Sequence, residues 1–110
     1  MVTEEDRKFL GQFQAYQQQL QAILLQKENL KLQILEIEKA LEELVESKVK
    51  QAYKIAGPIM IKKTSKDLKS ELKERKDNFN MRVKTLENAE NRITTKLKGM
   101  EPKLRELMKE

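Results

Sequence analysis

The chain has 110 residues, 37% of them charged, with a net charge of +5 and neither Cys nor His. That absence excludes disulfides, thiol nucleophiles, imidazole acid–base catalysis and zinc sites built on those ligands. Three Gly and two Pro in a chain dominated by Ala, Glu, Lys, Leu and Gln fit a long helix or coiled coil better than a packed globule.

The opening Met1-Val-Thr-Glu-Glu-Asp is acidic, unlike a secretory or mitochondrial leader. Thr3 and Asp6 have the spacing of a capping box, and Glu4, Glu5 and Asp6 complement the positive end of a helix dipole. A helix is predicted over 3–49. Its 4-3 alternation runs through Phe9, Phe13, Tyr16, Leu20, Ile23, Lys27, Leu30, Ile34, Ile37, Leu41 and Leu44, a sustained coiled-coil pattern. Lys27 is the exception, and beside Ile23 and Leu30 it is expected to cost stability. Lys48 and Lys50 suit the helix's negative end. The charge-free run from Phe9 to Gln26 holds seven Gln, whose amides are costly in a bilayer core. No membrane span is expected, and a cytoplasmic protein is.

Over 52–64 the period changes from helical to alternating. Tyr53 and Ile55 alternate with Lys54 and Ala56, Gly57-Pro58 punctuates, and Ile59, Met60 and Ile61 follow, which predicts a β-hairpin. Two strands alone are marginally stable in water, so this hairpin calls for partner chains.

Thr64 or Ser65 then caps a second helix predicted over 65–109, with Asp67 three residues after Thr64. Leu72, Phe79, Leu86, Ile93, Met100 and Leu107 recur every seventh residue. The companion row is weaker: Leu68, Arg75, Arg82 and Ala89, shifting to Leu97 and Leu104. That predicts a loose seam. Gly99 and Pro102 are expected to interrupt the helix, with a kink or restart at Pro102. Residues 65–110 carry 13 basic and 9 acidic side chains, but the signs are interspersed as on a solvated helix face. Nucleic-acid binding is not expected.

The fold class expected is mainly α: a single domain over 1–110, a long antiparallel two-helix coiled coil with one central β-hairpin. Folding back pairs Leu44 with Leu72 and Phe13 with Met100, and brings both chain ends together. Two surfaces are candidates for function. At the helix ends, Phe9, Leu10, Phe13 and Tyr16 meet Met100, Leu104, Leu107 and Met108. Leu10 and Met108 lie off the strict seam, and exposed Met, Leu and Phe re-pack around many shapes, as promiscuous binding requires. In the hairpin, Tyr53, Ile55, Gly57, Pro58, Ile59, Met60 and Ile61 offer unpaired edges and apolar side chains for assembly. No Gly-rich phosphate loop, metal ligand set or catalytic constellation is present, so no enzyme and no cofactor are expected.

The series Phe13-Gln-Ala-Tyr-Gln-Gln-Gln-Leu20, the hairpin Tyr53-Lys54-Ile55-Ala56-Gly57-Pro58 and the helices flanking it resemble the β-type subunit of the prefoldin family. The Tyr-Lys-x-x-Gly core at 53–57, placed between coiled-coil arms, is the most specific part of the likeness. The α-type subunits of that family are similar but carry two hairpins. The resemblance implies an ATP-independent co-chaperone in which two α-type and four β-type subunits form a hexamer. Its hairpins would join into a β-barrel. Unfolded client proteins would be held between the coiled-coil tips and passed to a group II chaperonin. A structural coiled-coil scaffold without client binding is the alternative, although it leaves the hairpin and the off-seam apolar residues without purpose.

Overall fold

The computed structural model describes residues 2–109, in the order α1 (Glu4–Ser47), β1 (Gln51–Ala56), β2 (Ile59–Thr64) and α2 (Ser65–Met108). By internal packing it divides into two units. One joins the residues through Glu28 to those from Lys84 onward, and the other is Asn29–Val83.

The first unit pairs the beginning of α1 with the end of α2. The capping box forms as expected: the Thr3 N–H donates to Asp6 Oδ2 and the Asp6 N–H to Thr3 Oγ1, each at 3.1 Å. Hydrogen bonding to Thr3, first of all from its backbone N–H, holds the Asp6 carboxyl below its ordinary pKa. The antiparallel alignment shows in three cross-helix contacts, Phe9 with Lys103, Tyr16 with Lys96 and Lys27 with Glu90. Phe9, Phe13, Tyr16, Leu20, Ile23 and Lys27 are all half-buried, as the 4-3 alternation requires. From α2, Leu86, Ile93, Leu97, Met100, Leu104 and Leu107 are half-buried too.

The second unit holds every fully buried apolar residue among those described: Leu30, Ile34, Ile37 and Leu44 of α1 and Val83 of α2. A cross-helix pair, Lys76 Nζ to Glu38 Oε1 at 3.3 Å, fixes the same antiparallel sense here. α1 ends at Ser47, earlier than the helix expected to 49. Lys48, expected to suit the negative end of the helix dipole, lies just beyond the helix with φ +54°. It occupies the left-handed position after a helix end that glycine ordinarily fills.

β1 and β2 pair antiparallel, from Gln51 opposite Thr64 to Ala56 opposite Ile59, so Gly57 and Pro58 form a two-residue loop. Gly57 has φ +59°, and Gly at the first loop position with Pro at the second is the pattern of a type II′ turn. The Asp67 N–H donates to Thr64 Oγ1 at 3.1 Å, which settles the choice of cap. Ser65 has another task. It is buried, its N–H donates to the Lys50 carbonyl at 2.8 Å and its Oγ to the Val49 carbonyl at 2.5 Å. These bonds close the base of the hairpin.

Two expectations for α2 are corrected. The companion row after Leu68 and Leu72 runs through Lys76, Val83, Glu90, Leu97 and Leu104 without a break, while Arg75 and Arg82 are exposed and Ala89 is half-buried. The spacing Leu68–Leu72–Lys76 is four and four, a local stutter that moves the row by one residue. The helix is also continuous through Gly99 and Pro102 to Met108. A proline deletes only its own N–H bond and strains the turn before it. Leu104 and Leu107 beyond it remain half-buried, so packing of the last turn offsets that cost.

Candidate functional site

The hairpin's register divides its apolar residues between two faces. Cross-strand partners share a face and successive residues alternate, so Tyr53, Ile55, Met60 and Lys62 point one way. Ala52, Lys54, Ala56, Ile59, Ile61 and Lys63 point the other. Tyr53, Ile55, Ile59, Met60 and Ile61 are all exposed, Ile55 at 73%. The loop residues Gly57 and Pro58 are exposed as well. The two-residue loop sets Ile55 and Ile61 on opposite faces.

The Lys54 face is the one tied down. Both its lysines reach α2, where Lys63 Nζ donates to Glu71 Oε2 at 2.6 Å and Lys54 Nζ donates to Glu71 Oε1. The two ammoniums hold the Glu71 carboxyl far below its usual range, at about 2. Between the hairpin base and the helices lies an open groove of about 290 Å³, lined by Ala40, Leu44, Ala52, Tyr53, Leu68 and Leu72 among others. Leu44 and Leu72, expected to pair, both line this groove. Among the described residues each strand pairs only with the other, so the outer edge of each is without a ladder.

At the helix ends, Lys103 Nζ sits 4.8 Å from the Phe9 ring centre and Lys96 Nζ 5.2 Å from that of Tyr16. Phe9, Phe13, Tyr16, Met100, Leu104 and Leu107 all lie in the seam, half-buried. Leu10 and Met108 point outward, 37% and 76% exposed. The row containing Lys96 and Lys103 continues that of Arg75 and Arg82, which lie 5.5 and 5.8 Å from the Phe79 ring centre. Each of these four cations covers an aromatic ring at the margin of the seam. Cations seven residues apart were the signal for this; it needed the rings' positions to be read. Among the described residues no group of three His, Cys, Asp or Glu is placed to hold a metal ion, and no helix is long and apolar enough to cross a membrane.

Comparison with known proteins gives a consistent result. The family model described as Prefoldin subunit matches residues 7–110. The chain is 35% identical over 106 residues to the Prefoldin subunit beta of Thermococcus onnurineus, covering 94% of this chain and 90% of that protein. With the Prefoldin subunit beta of Methanothrix thermoacetophila it shares 37% identity over 98 residues, covering 88% and 82%. The crystal structure of the prefoldin beta subunit from Thermococcus strain KS-1 superimposes with a TM-score of 0.82 at 32% identity, covering 97% of this chain and 95% of that one.

Proposed function

The chain belongs to the prefoldin subunit family, on its β side, and from that premise we propose that it captures unfolded protein at its paired helix ends and assembles through its hairpin. Membership already makes it a chaperone component rather than an enzyme, and one that assembles with other prefoldin subunits. The finer reading is a cytoplasmic hexamer of two α-type and four β-type subunits that works without ATP and hands its clients to a group II chaperonin.

The observation that carries the assembly role is the exposure of apolar residues on both faces of a two-stranded ribbon. Among the described residues, Tyr53, Ile55 and Met60 on one side and Ile59 and Ile61 on the other are left exposed. A ribbon with two open edges and two apolar faces is marginal by itself and gains stability when other strands extend it. Supporting the capture role, the first unit keeps its seam half-buried throughout, whereas the second buries Leu30, Ile34, Ile37, Leu44 and Val83. Apolar side chains already partly in water, with Leu10 and Met108 beside them, can meet a client without unfolding the helices. Weak contacts at several tips add up by avidity and still release.

Deleting residues 1–10 and 103–110 tests the capture role. The truncated chain, mixed with an α-type partner, should still assemble to the same mass and should no longer suppress aggregation of a denatured model protein. ATP should change neither form. A truncated assembly that protects as well as the parent overturns the assignment of capture to the helix ends.

A further inference from the structure

One carboxylate on α2 holds both strands of the hairpin. Lys54 comes from β1 and Lys63 from β2, they share a face, and they engage the two oxygens of Glu71 separately. Each of the three side chains keeps only about a third of its surface exposed, at 35%, 33% and 34%. A lysine that binds a carboxylate from one strand alone would leave the ribbon free to roll. Two lysines on different strands fix its inclination as well as its distance from the helix.

Other ties among the described residues lie at the ribbon's base, where Ser65 bonds Lys50 and Val49 and where Ala52 and Tyr53 wall the groove. From Ile55 to Ile61 it extends beyond those ties. A strand pair hinged only at its base swings, and a swinging ribbon must lose that freedom when it meets a partner strand. Restricting it beforehand lowers that entropic cost of association.

We propose that Glu71 is a positioning residue for assembly: it docks the Lys54–Lys63 face of the hairpin on α2 and thereby presents the Ile55–Met60 face to the hairpin of a second prefoldin-type subunit. The inference rests on the assembly reading above and adds to it a residue that itself touches no partner. The occupant is a strand pair because the ribbon's edges offer backbone donors and acceptors at strand spacing beside an apolar face. The clamp is electrostatic and lies at the surface, so it tunes the assembly rather than building it.

The test uses the full chain with an α-type partner, diluted until the complex dissociates and followed by native mass spectrometry. Glu71→Gln, isosteric and uncharged, should raise the concentration of half-assembly by about tenfold, the combined effect of two surface ion pairs each within their usual range. Its helical circular dichroism should stay that of the parent. Glu71→Lys should assemble less well than Glu71→Gln, and adding Lys54→Glu with Lys63→Glu to Glu71→Lys should restore assembly. A purely structural role would show as lost helix content and would not be rescued by exchanging the signs. Ile55→Lys is the control for the reading beneath. If Ile55→Lys disrupts the complex while Glu71→Gln assembles like the parent, Glu71 is only a surface ion pair and the inference falls. If Ile55→Lys leaves the complex intact, assembly through the hairpin is itself refuted.

Discussion

Lys27 Nζ lies 2.5 Å from Glu90 Oε1, joining the single charged position of the α1 seam to a charged position of the α2 seam. Lys27 retains 18% of its side-chain exposure and Glu90 24%. The sequence suggested that Lys27 sits uncompensated beside Ile23 and Leu30, so that leucine there would stabilise. The pairing changes the expected sign. Lys27→Leu alone strands a half-buried carboxylate and should destabilise by about 1 kcal/mol, whereas Lys27→Leu with Glu90→Leu should be neutral or stabilising. Thermal unfolding of the two single variants and the double one checks this. An increase in Tm for Lys27→Leu alone would contradict the pairing.

The row Lys76, Val83, Glu90, Leu97 predicts a contrast between neighbours. Val83→Ala, at a buried position, should cost about 2 kcal/mol in urea unfolding through lost burial and the space left behind. Arg82→Ala should cost well under half of that, since the exposed guanidinium gives up only its contact with the Phe79 ring. The reverse order would restore the row through Arg75 and Arg82.

Lys48 holds a left-handed backbone that glycine adopts without strain. Lys48→Gly should therefore stabilise the fold by about 1 kcal/mol, read as a higher urea midpoint with an unchanged slope. A loss of stability would show that the lysine side chain outweighs its backbone strain.

The Glu71 carboxyl is held at about 2 against an ordinary 4.5 by Lys54 and Lys63. A depressed carboxyl pKa contributes stability that is fully present above the ordinary value and is lost as pH falls toward the lowered one. The hairpin clamp should thus persist at pH 5 and release between about 4.5 and 2. Following the side-chain carboxyl by NMR should place the midpoint near 2 in the parent. With Lys54→Gln and Lys63→Gln together, the midpoint should return toward 4.5.

Assembly offers a further check with two face-specific changes. Ile55→Lys and Ile61→Lys lie on opposite faces of the ribbon, so together they place a charge on each apolar face. The pair should abolish the oligomer while leaving helical circular dichroism nearly intact. A complex of unchanged mass by light scattering would show that the subunits meet elsewhere.

The sequence by itself determined the α1 seam residue by residue, the capping box at Thr3 and Asp6, the hairpin between two helices and the family to which the chain is similar. These features are local. Heptad periodicity, a capping pair three residues apart and a Gly-Pro loop each act within one or two turns of backbone, so single-chain patterns specify them. What only the tertiary structure decided depends on where a second element lies. The α2 row slipped by one residue at Leu68–Leu72–Lys76 because the stutter is hidden where the inward positions are Lys and Glu. Those two charges are tolerated only because Glu38 and Lys27 lie across the interface to answer them. Pro102 stays helical because Leu104 and Leu107 pack. Ile55 and Ile61 part company because the two-residue loop sets the register. Glu71 stands out only after Lys54 and Lys63, 17 and 8 residues away in sequence, are brought to the same carboxylate. Charge pairing across elements leaves no periodic trace in a chain, since any of its many lysines could have met any of its glutamates.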